Sequence, residues 1–173
     1  MKILVLVDLQ NDFIDGVLGS EEAQGIVPKV VSYIEKHKDD YDLIYATRDT
    51  HTKERNGSVE SKRLPAHCVH GTTGHLIVPS IYDILPPDKT HVMNKYTFMA
   101  NIPISSLPEG TEVDICGLCT DICVVSTALY IRAISPNSEI NCLADLCAGT
   151  THVNHLSALN VMNSCLINTK NGL

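Results

Sequence analysis

The sequence predicts an α/β fold, a three-layer α/β/α sandwich around a mainly parallel central sheet. Two patterns predict it: short apolar runs that alternate with helical periodicity, and polar, chemistry-bearing residues gathered at the carboxyl ends of those runs. The first run, Lys2 to Val7, reads as a buried strand. The stretch Ile26 to His37 is amphipathic, with Ile26, Val27, Val30, Val31 and Ile34 on one side, the spacing of a surface helix. Tyr41 to Ala46 is the second strand, His91 to Met93 the third and Val113 to Cys116 the fourth. A helix from about Asp121, with its pattern running from Val124 to Ile134, follows. Ile140 to Leu143 is the fifth strand and His152 to Ile167 the last helix. Strand–helix alternation places helices on both faces of the sheet, and such sheets bind ligands beyond the carboxyl ends of their strands.

The 173 residues are expected to form a single domain, 1–173, long enough for a sizeable core. With 44% hydrophobic and 19% charged residues, the composition calls for neither disorder nor a membrane span. The net charge of −7 and the lack of a basic stripe argue against nucleic acid as a partner. The N-terminal run turns acidic at Asp8 too soon for a signal peptide, and no apolar stretch reaches spanning length, so no membrane partner is expected. Seven cysteines, an odd number in no disulfide-scaffold spacing, fit reduced thiols in the cytoplasm.

The strand ends carry Asp8, Thr47 to Asp49, Asn94-Lys95 and Leu118 to Cys123. Cys123 falls in the first turn of a helix just after a buried strand. Unpaired N–H groups and partial positive charge there favour a thiolate and can hold an oxyanion. Taken singly, Asp8 reads better as a turn residue and Lys95 as a solvated lysine, and Cys123 also reads as a small buried hydrophobe. Together at one sheet edge they supply a proton acceptor, a positive charge and a nucleophile. Cys116, Cys119 and Cys123 form C-x2-C-x3-C, but Cys116 should point into the core and no fourth soft ligand is suitably spaced.

From Arg48 to Lys89 the chain is long, weakly periodic and rich in His, Gly, Pro and Thr, which marks a functional or a disordered loop. His67, His70 and His75 lie within it and His91 starts the next strand. Asp49-x-His51, with Glu60 and His67 downstream, offers two imidazoles and two carboxylates suited to zinc, manganese or iron. The alternative is a polar loop facing water.

On these residues the chain resembles the isochorismatase-like cysteine hydrolases, and within them the nicotinamidases. The matching segments are Val7 to Phe13, Thr47 to His51, Leu64 to Thr72, Lys95, and Gly117 to Val124. The resemblance implies a Rossmann-like topology without a dinucleotide site, and an Asp–Lys–Cys triad of Asp8, Lys95 and Cys123. It implies metal ligands Asp49, His51 and His67, with Glu60 at the position where some members place a glutamate. Phe13 matches an aromatic residue that packs on the substrate ring. Leu118-Cys119 matches a cis peptide bond that turns the Cys119 N–H, with that of Cys123, toward an oxyanion. Leu64 stands where many nicotinamidases have Trp or Phe, and Phe98 is the aromatic residue that can compensate. Leu64, Phe98 and Leu118 complete the expected substrate-binding set.

The reaction implied is hydrolysis of nicotinamide to nicotinate and ammonia through a cysteine thioester. It requires one divalent metal ion, zinc foremost with manganese or iron as alternatives, and no organic cofactor. Two rival readings are a related cysteine amidohydrolase acting on another small amide or carbamoyl compound, and a non-catalytic metal or thiol sensor. The expected partner is a small-molecule amide, and relatives that assemble into dimers or larger units make a homo-oligomer an expectation here too.

Overall fold

Strand β1 (Lys2–Val7) forms the centre of the sheet because its side chains are apolar on both faces. Ile3, Leu4, Val5 and Val7 are completely buried, as a strand covered by helices on both sides demands. The computed structural model describes residues 1–54, 58–104 and 108–172. Within it, β1 is followed by a single turn of helix, α1 (Asn11–Ile14), and then by α2 (Glu21–His37). The sheet continues with β2 (Leu43–Asp49), β3 (Thr90–Lys95), β4 (Glu112–Leu118), β5 (Glu139–Ala148) and β6 (Asn168–Lys170). A short helix α3 (Pro79–Tyr82) precedes β3, α4 (Val125–Ile134) joins β4 to β5, and α5 (His152–Ser164) joins β5 to β6.

The strand order is β3-β2-β1-β4-β5-β6, and every pairing is parallel. The chain therefore starts in the middle, works outward through β2 and β3, then returns to β4 and works outward the other way. Right-handed crossovers put the two sets of helices on opposite faces; α4 packs on α5, and α2 packs on α3. The reversal between β1 and β4 opens a crevice at their carboxyl ends, where open α/β sheets hold their ligands.

Helix α2 starts at Glu21, five residues before the expected Ile26. Ser20 caps it by accepting the Ala23 N–H at 3.1 Å, and Glu21 and Glu22 favour the positive end of the helix dipole. Pro28 lies inside this helix, as a breaker the sequence pattern does not forgive. The buried stripe of Ala23, Ile26, Val30, Tyr33 and Ile34 outweighs it. The last helix is shorter than the expected His152–Ile167. It stops at Ser164 because Leu166 takes a left-handed φ of 60° and the Ile167 N–H reaches back to the Met162 carbonyl. Ile167 then leads into β6, which adds an edge strand that the sequence pattern does not reveal. Strand β5 runs on past Leu143 through an irregularity in its pairing with β4.

The long segment after β2 is tied down in several places. His51 forms an isolated bridge with Val69, and Gln10 forms one with Ile77. The Cys68 N–H donates to Asp12 Oδ2 at 2.7 Å, and the Asp12 carboxylate also lies against Gly74, where any Cβ would clash at 2.1 Å. Among the described residues no helix is long and apolar enough to cross a membrane.

Gly117 is the tightest point of the sheet. Its φ is +123°, and a Cβ would sit 2.1 Å from the Val7 carbonyl oxygen, so both the conformation and the space exclude a side chain. Gly117→Ala should cost about 3 kcal/mol of stability, measured as a fall in urea midpoint; an unchanged midpoint would show that β1 and β4 can separate freely.

Candidate active site

The site is built from the ends of β1, β2, β3 and β4. Asp8 follows β1 with a left-handed φ of 51° and is fully buried. Lys95 is the last residue of β3 and is 4% exposed. Cys123 lies in a π-helical turn, Thr120–Val124, that connects β4 to α4. The Val124 N–H donates to the Cys119 carbonyl at 3.1 Å, which closes that wide turn. The peptide bond between Leu118 and Cys119 is cis, at the position the family resemblance implies.

The Lys95 ammonium is the hub. Its Nζ lies 2.7 Å from Asp8 Oδ2, 3.2 Å from Asp49 Oδ1 and 3.3 Å from Cys123 Sγ, and it donates to the Thr97 carbonyl at 3.2 Å. Thr47, at the end of β2, donates its hydroxyl to Asp8 Oδ1 at 2.6 Å and accepts the Asp8 N–H at 3.2 Å. That leaves Asp8 Oδ2 directed at Lys95.

The electrostatics correct one expectation. A thiol at the start of a helix beside a lysine was expected to be acidic. Burial pushes the Cys123 thiol well above its ordinary value, the Asp8 charge adds to this, and the Lys95 ammonium opposes it. The resting sulfur is therefore a neutral thiol that needs a base. Burial also raises Asp8, with the Lys95 charge opposing, which brings the carboxylate closer in basicity to the task of accepting a proton. Burial disfavours the charge on Lys95, but the carboxylates of Asp8 and Asp49 oppose this and the lysine is held above its ordinary range.

Next to this triad, Asp49, His51, Glu60 and His67 place one ligand atom each within 4.8 Å of one another. Asp49 Oδ2 lies 2.7 Å from His51 Nε2 and 3.3 Å from His67 Nε2. Glu60 Oε1 lies 3.5 Å from His51 Nε2 and 3.4 Å from His67 Nε2. His67 Nδ1 donates to the Pro65 carbonyl at 2.9 Å, so its Nε2 is the nitrogen presented to the cluster. Two imidazoles and two carboxylates converging in this way fit a divalent cation. Charge supports the fit. Asp8, Asp49 and Glu60 against Lys95 leave two negative charges in a largely buried region, which a doubly charged ion would neutralise. Burial alone would raise Asp49, but the His67 hydrogen bond and the Lys95 charge hold its carboxyl well below the usual range.

Both groups open into one cavity of about 390 Å³. Phe13, Leu64, Phe98 and Leu118, the four expected substrate-binding residues, all line it, together with Asp49, Glu60, His67, Cys119 and Cys123. Phe13 is 8% exposed and its ring lies 5.5 Å from that of His67. Leu64 is half-buried and Phe98 exposed at the rim. His70 and His75 stay outside the cluster; His75 is buried against the Thr50 hydroxyl at 2.9 Å. Cys116 is fully buried in the sheet, apart from the cavity.

Sequence reasoning missed several contributors. Gln10 is fully buried and clamps the Asp49 backbone: its Oε1 accepts the Asp49 N–H at 2.7 Å and its Nε2 donates to the Asp49 and His75 carbonyls at 3.0 and 2.8 Å. A glutamine two residues past a catalytic strand end is the only hint the sequence offers. Thr47 carried the hint of its place at the end of β2. The far wall, formed by Val17, Leu18, Ala23, Ile122, Gly149 and Thr150, has no linear signal because it assembles from four separate segments.

A family model for the isochorismatase domain matches residues 2–170. The nicotinamidase/pyrazinamidase of Mycobacterium tuberculosis is 28% identical over 183 aligned positions, covering 96% of this chain and 97% of that protein. Among solved structures, a pyrazinamidase/nicotinamidase from Streptococcus mutans superposes with a TM-score of 0.86 at 25% identity, covering 98% of this chain and 100% of the other. The pyrazinamidase of Pyrococcus horikoshii, solved in complex with zinc, superposes at 0.83 with 29% identity, covering 98% of each chain. With its fold, its strand-end chemistry and nearly its whole length in agreement, the chain belongs to the isochorismatase family.

Proposed function

We propose that the protein is a metal-containing nicotinamidase, hydrolysing nicotinamide to nicotinate and ammonia through a thioester on Cys123. The observation that carries this reading is that Cys123 lines one cavity with Asp49, Glu60 and His67, and that the Asp49 carboxylate joins the two groups by contacting both Lys95 and His67. The similarity to proteins named nicotinamidase and pyrazinamidase supports it.

In this reading Asp8 accepts the Cys123 proton as the sulfur attacks the carboxamide carbon. Lys95 holds Asp8 and the sulfur in place and stabilises the negative charge that develops between them. The N–H groups of Cys119 and Cys123 receive the oxyanion, a contribution of about 3–4 kcal/mol per donor in comparable sites. Asp8 returns the proton to the departing ammonia, and then deprotonates the water that releases nicotinate. Phe13, Leu64, Phe98 and Leu118 pack on the ring. Asp49, His51, Glu60 and His67 would hold one divalent ion, zinc foremost, which supplies a Lewis-acidic anchor for the ring nitrogen and thereby orientation. The protein acts as a single domain of residues 1–173. An odd number of cysteines, in no disulfide-scaffold spacing, fits a reducing, cytoplasmic setting.

One observation favours a second substrate for the same chemistry. With Leu64 half-buried and Phe98 at the rim, the ring walls are looser than two facing aromatics would make them, which suits another small amide.

Cys123→Ala should abolish ammonia release from nicotinamide while leaving the metal content unchanged by elemental analysis. A variant that still turns over would remove Cys123 from the reaction, and an activity confined to metal binding would favour a sensor. Stripping the metal with dipicolinate should lower kcat/KM for nicotinamide at least tenfold more than for benzamide, which lacks the ring nitrogen, because a lost orienting contact of about 1.4 kcal/mol or more corresponds to tenfold or more. Equal losses for the two amides would mean that the metal acts elsewhere. Thr47→Val leaves Asp8 Oδ1 buried without its hydroxyl donor, and should lower kcat by about tenfold or more with KM little changed in steady-state assays.

A further inference from the structure

The cavity lining reaches from the end of β2 to the residues that follow β5. The metal-ligating cluster starts from the end of β2, the nucleophile from the end of β4, and the far wall at Gly149 and Thr150 follows β5. In the order β2-β1-β4-β5, neighbouring strands are about 4.8 Å apart, so the ring-anchoring end lies roughly 10 Å from the nucleophile's strand and the cavity runs about 5 Å further.

With the ring nitrogen held at the β2 side and the carbonyl carbon at Cys123, what lies beyond the carbonyl is its oxygen and its leaving nitrogen. The oxygen turns to the Cys119–Cys123 backbone, so the space on the β5 side belongs to the leaving group. On that side the lining includes Gly149 and Thr150, which follow β5, Ile122, which follows β4, and apolar Val17, Leu18 and Ala23 from the start of α2 and the segment before it, and α2 packs on β5. Departing ammonia gains nothing from four apolar side chains, whereas an alkyl group on the amide nitrogen does.

We infer that the β5 side of the cavity is a leaving-group subsite, and that the enzyme hydrolyses secondary pyridinecarboxamides bearing a small apolar N-substituent as well as the primary amide. This rests on the proposed nicotinamidase reaction and extends its substrate class. The chemistry balances without a further reactant. The Cys123 sulfur–carbon bond forms as the carbon–nitrogen bond breaks, the alkylamine leaves with the proton Asp8 took from the thiol, and water cleaves the thioester to nicotinate and regenerates the thiol.

The test compares N-ethylnicotinamide with nicotinamide on the metal-loaded full chain, reading nicotinate, the product common to both. N-ethylnicotinamide should be hydrolysed with a kcat/KM within about a hundredfold of nicotinamide, the range that one or two apolar groups in a pocket command. Ala23→Leu, and independently Val17→Trp at the exposed rim, should lower the ratio of the two values by about tenfold or more. Ala23 is buried and could disturb packing, but Val17 is 52% exposed and its replacement tests the subsite without touching the core. A ratio more than a hundredfold below nicotinamide in the parent protein, or a ratio that neither substitution moves, overturns the subsite while nicotinamide hydrolysis stands. Failure to hydrolyse nicotinamide itself overturns the reaction on which the subsite rests.

Discussion

The structure turns on one buried cation. Lys95 has two carboxylates and a thiol within 3.3 Å and almost no exposure to water. A lone ammonium there would lose its hydration and shed its proton, so the two carboxylates are a condition of its charge. The dependence is mutual. Asp8 is more buried than Lys95, and without the ammonium it would be protonated and unable to act as a base. The neutral state of Cys123 belongs to the same balance, since a second anion beside Asp8 would leave one lysine facing three negative groups. Charge separation between thiol and base is thus deferred until the thiol attacks, when the new negative charge spreads toward the oxyanion donors.

Topology explains why these groups can meet. Asp8, Cys123 and Lys95 are 115 residues apart at the extremes of their numbering, yet they follow β1, β4 and β3 in one parallel sheet whose carboxyl ends share an edge. The crevice between β1 and β4 exists because the strand order reverses there. Its width is set by the contact between Gly117 and the Val7 carbonyl, the residues paired immediately before Asp8 and Leu118. A side chain at that glycine would push apart the two strands that carry the base and the nucleophile turn.

Much of this was legible in the sequence, and the exceptions have physical causes. Asp8, Lys95 and Cys123 ended apolar runs, a signal that survives without coordinates because a buried strand must be apolar and its end need not be. Asp49 and His51 were legible as a pair directly after such a run, with Glu60 and His67 downstream; on spacing alone a polar loop is as good a reading, and it is the family resemblance that makes Glu60 a ligand. The thiol's protonation state was not. Helix-end position and a nearby lysine argued for acidity, but the extent of burial, which reverses the balance, has no linear signature. Nor did β6: a three-residue edge strand after a helix closed by left-handed Leu166, where glycine is the usual marker, leaves little pattern to read. Gln10 and the far cavity wall act through partners distant in sequence, so their roles appear only when the segments are brought together.

The clamp formed by Gln10 has a consequence for how the two halves of the site relate. Its amide bonds both the N–H and the carbonyl of Asp49, while Thr47 on the same strand bonds both the backbone and the carboxylate of Asp8. The ends of β1 and β2 are therefore laced together by side chains where the sheet's own ladder has stopped. Asp49 carries this rigidity to both sides, one oxygen on Lys95 and the other on the two histidines. Anchor and nucleophile are consequently held in one frame, and a shift of Asp49 by a fraction of an ångström would disturb both together. The residues that face the substrate's bulk lie off the sheet: Leu64 and Phe98 sit outside the strands, and Val17 is open to solvent. The fold thus commits its sheet to the reaction and leaves the shape of the substrate to loops, which can change without disturbing the chemistry.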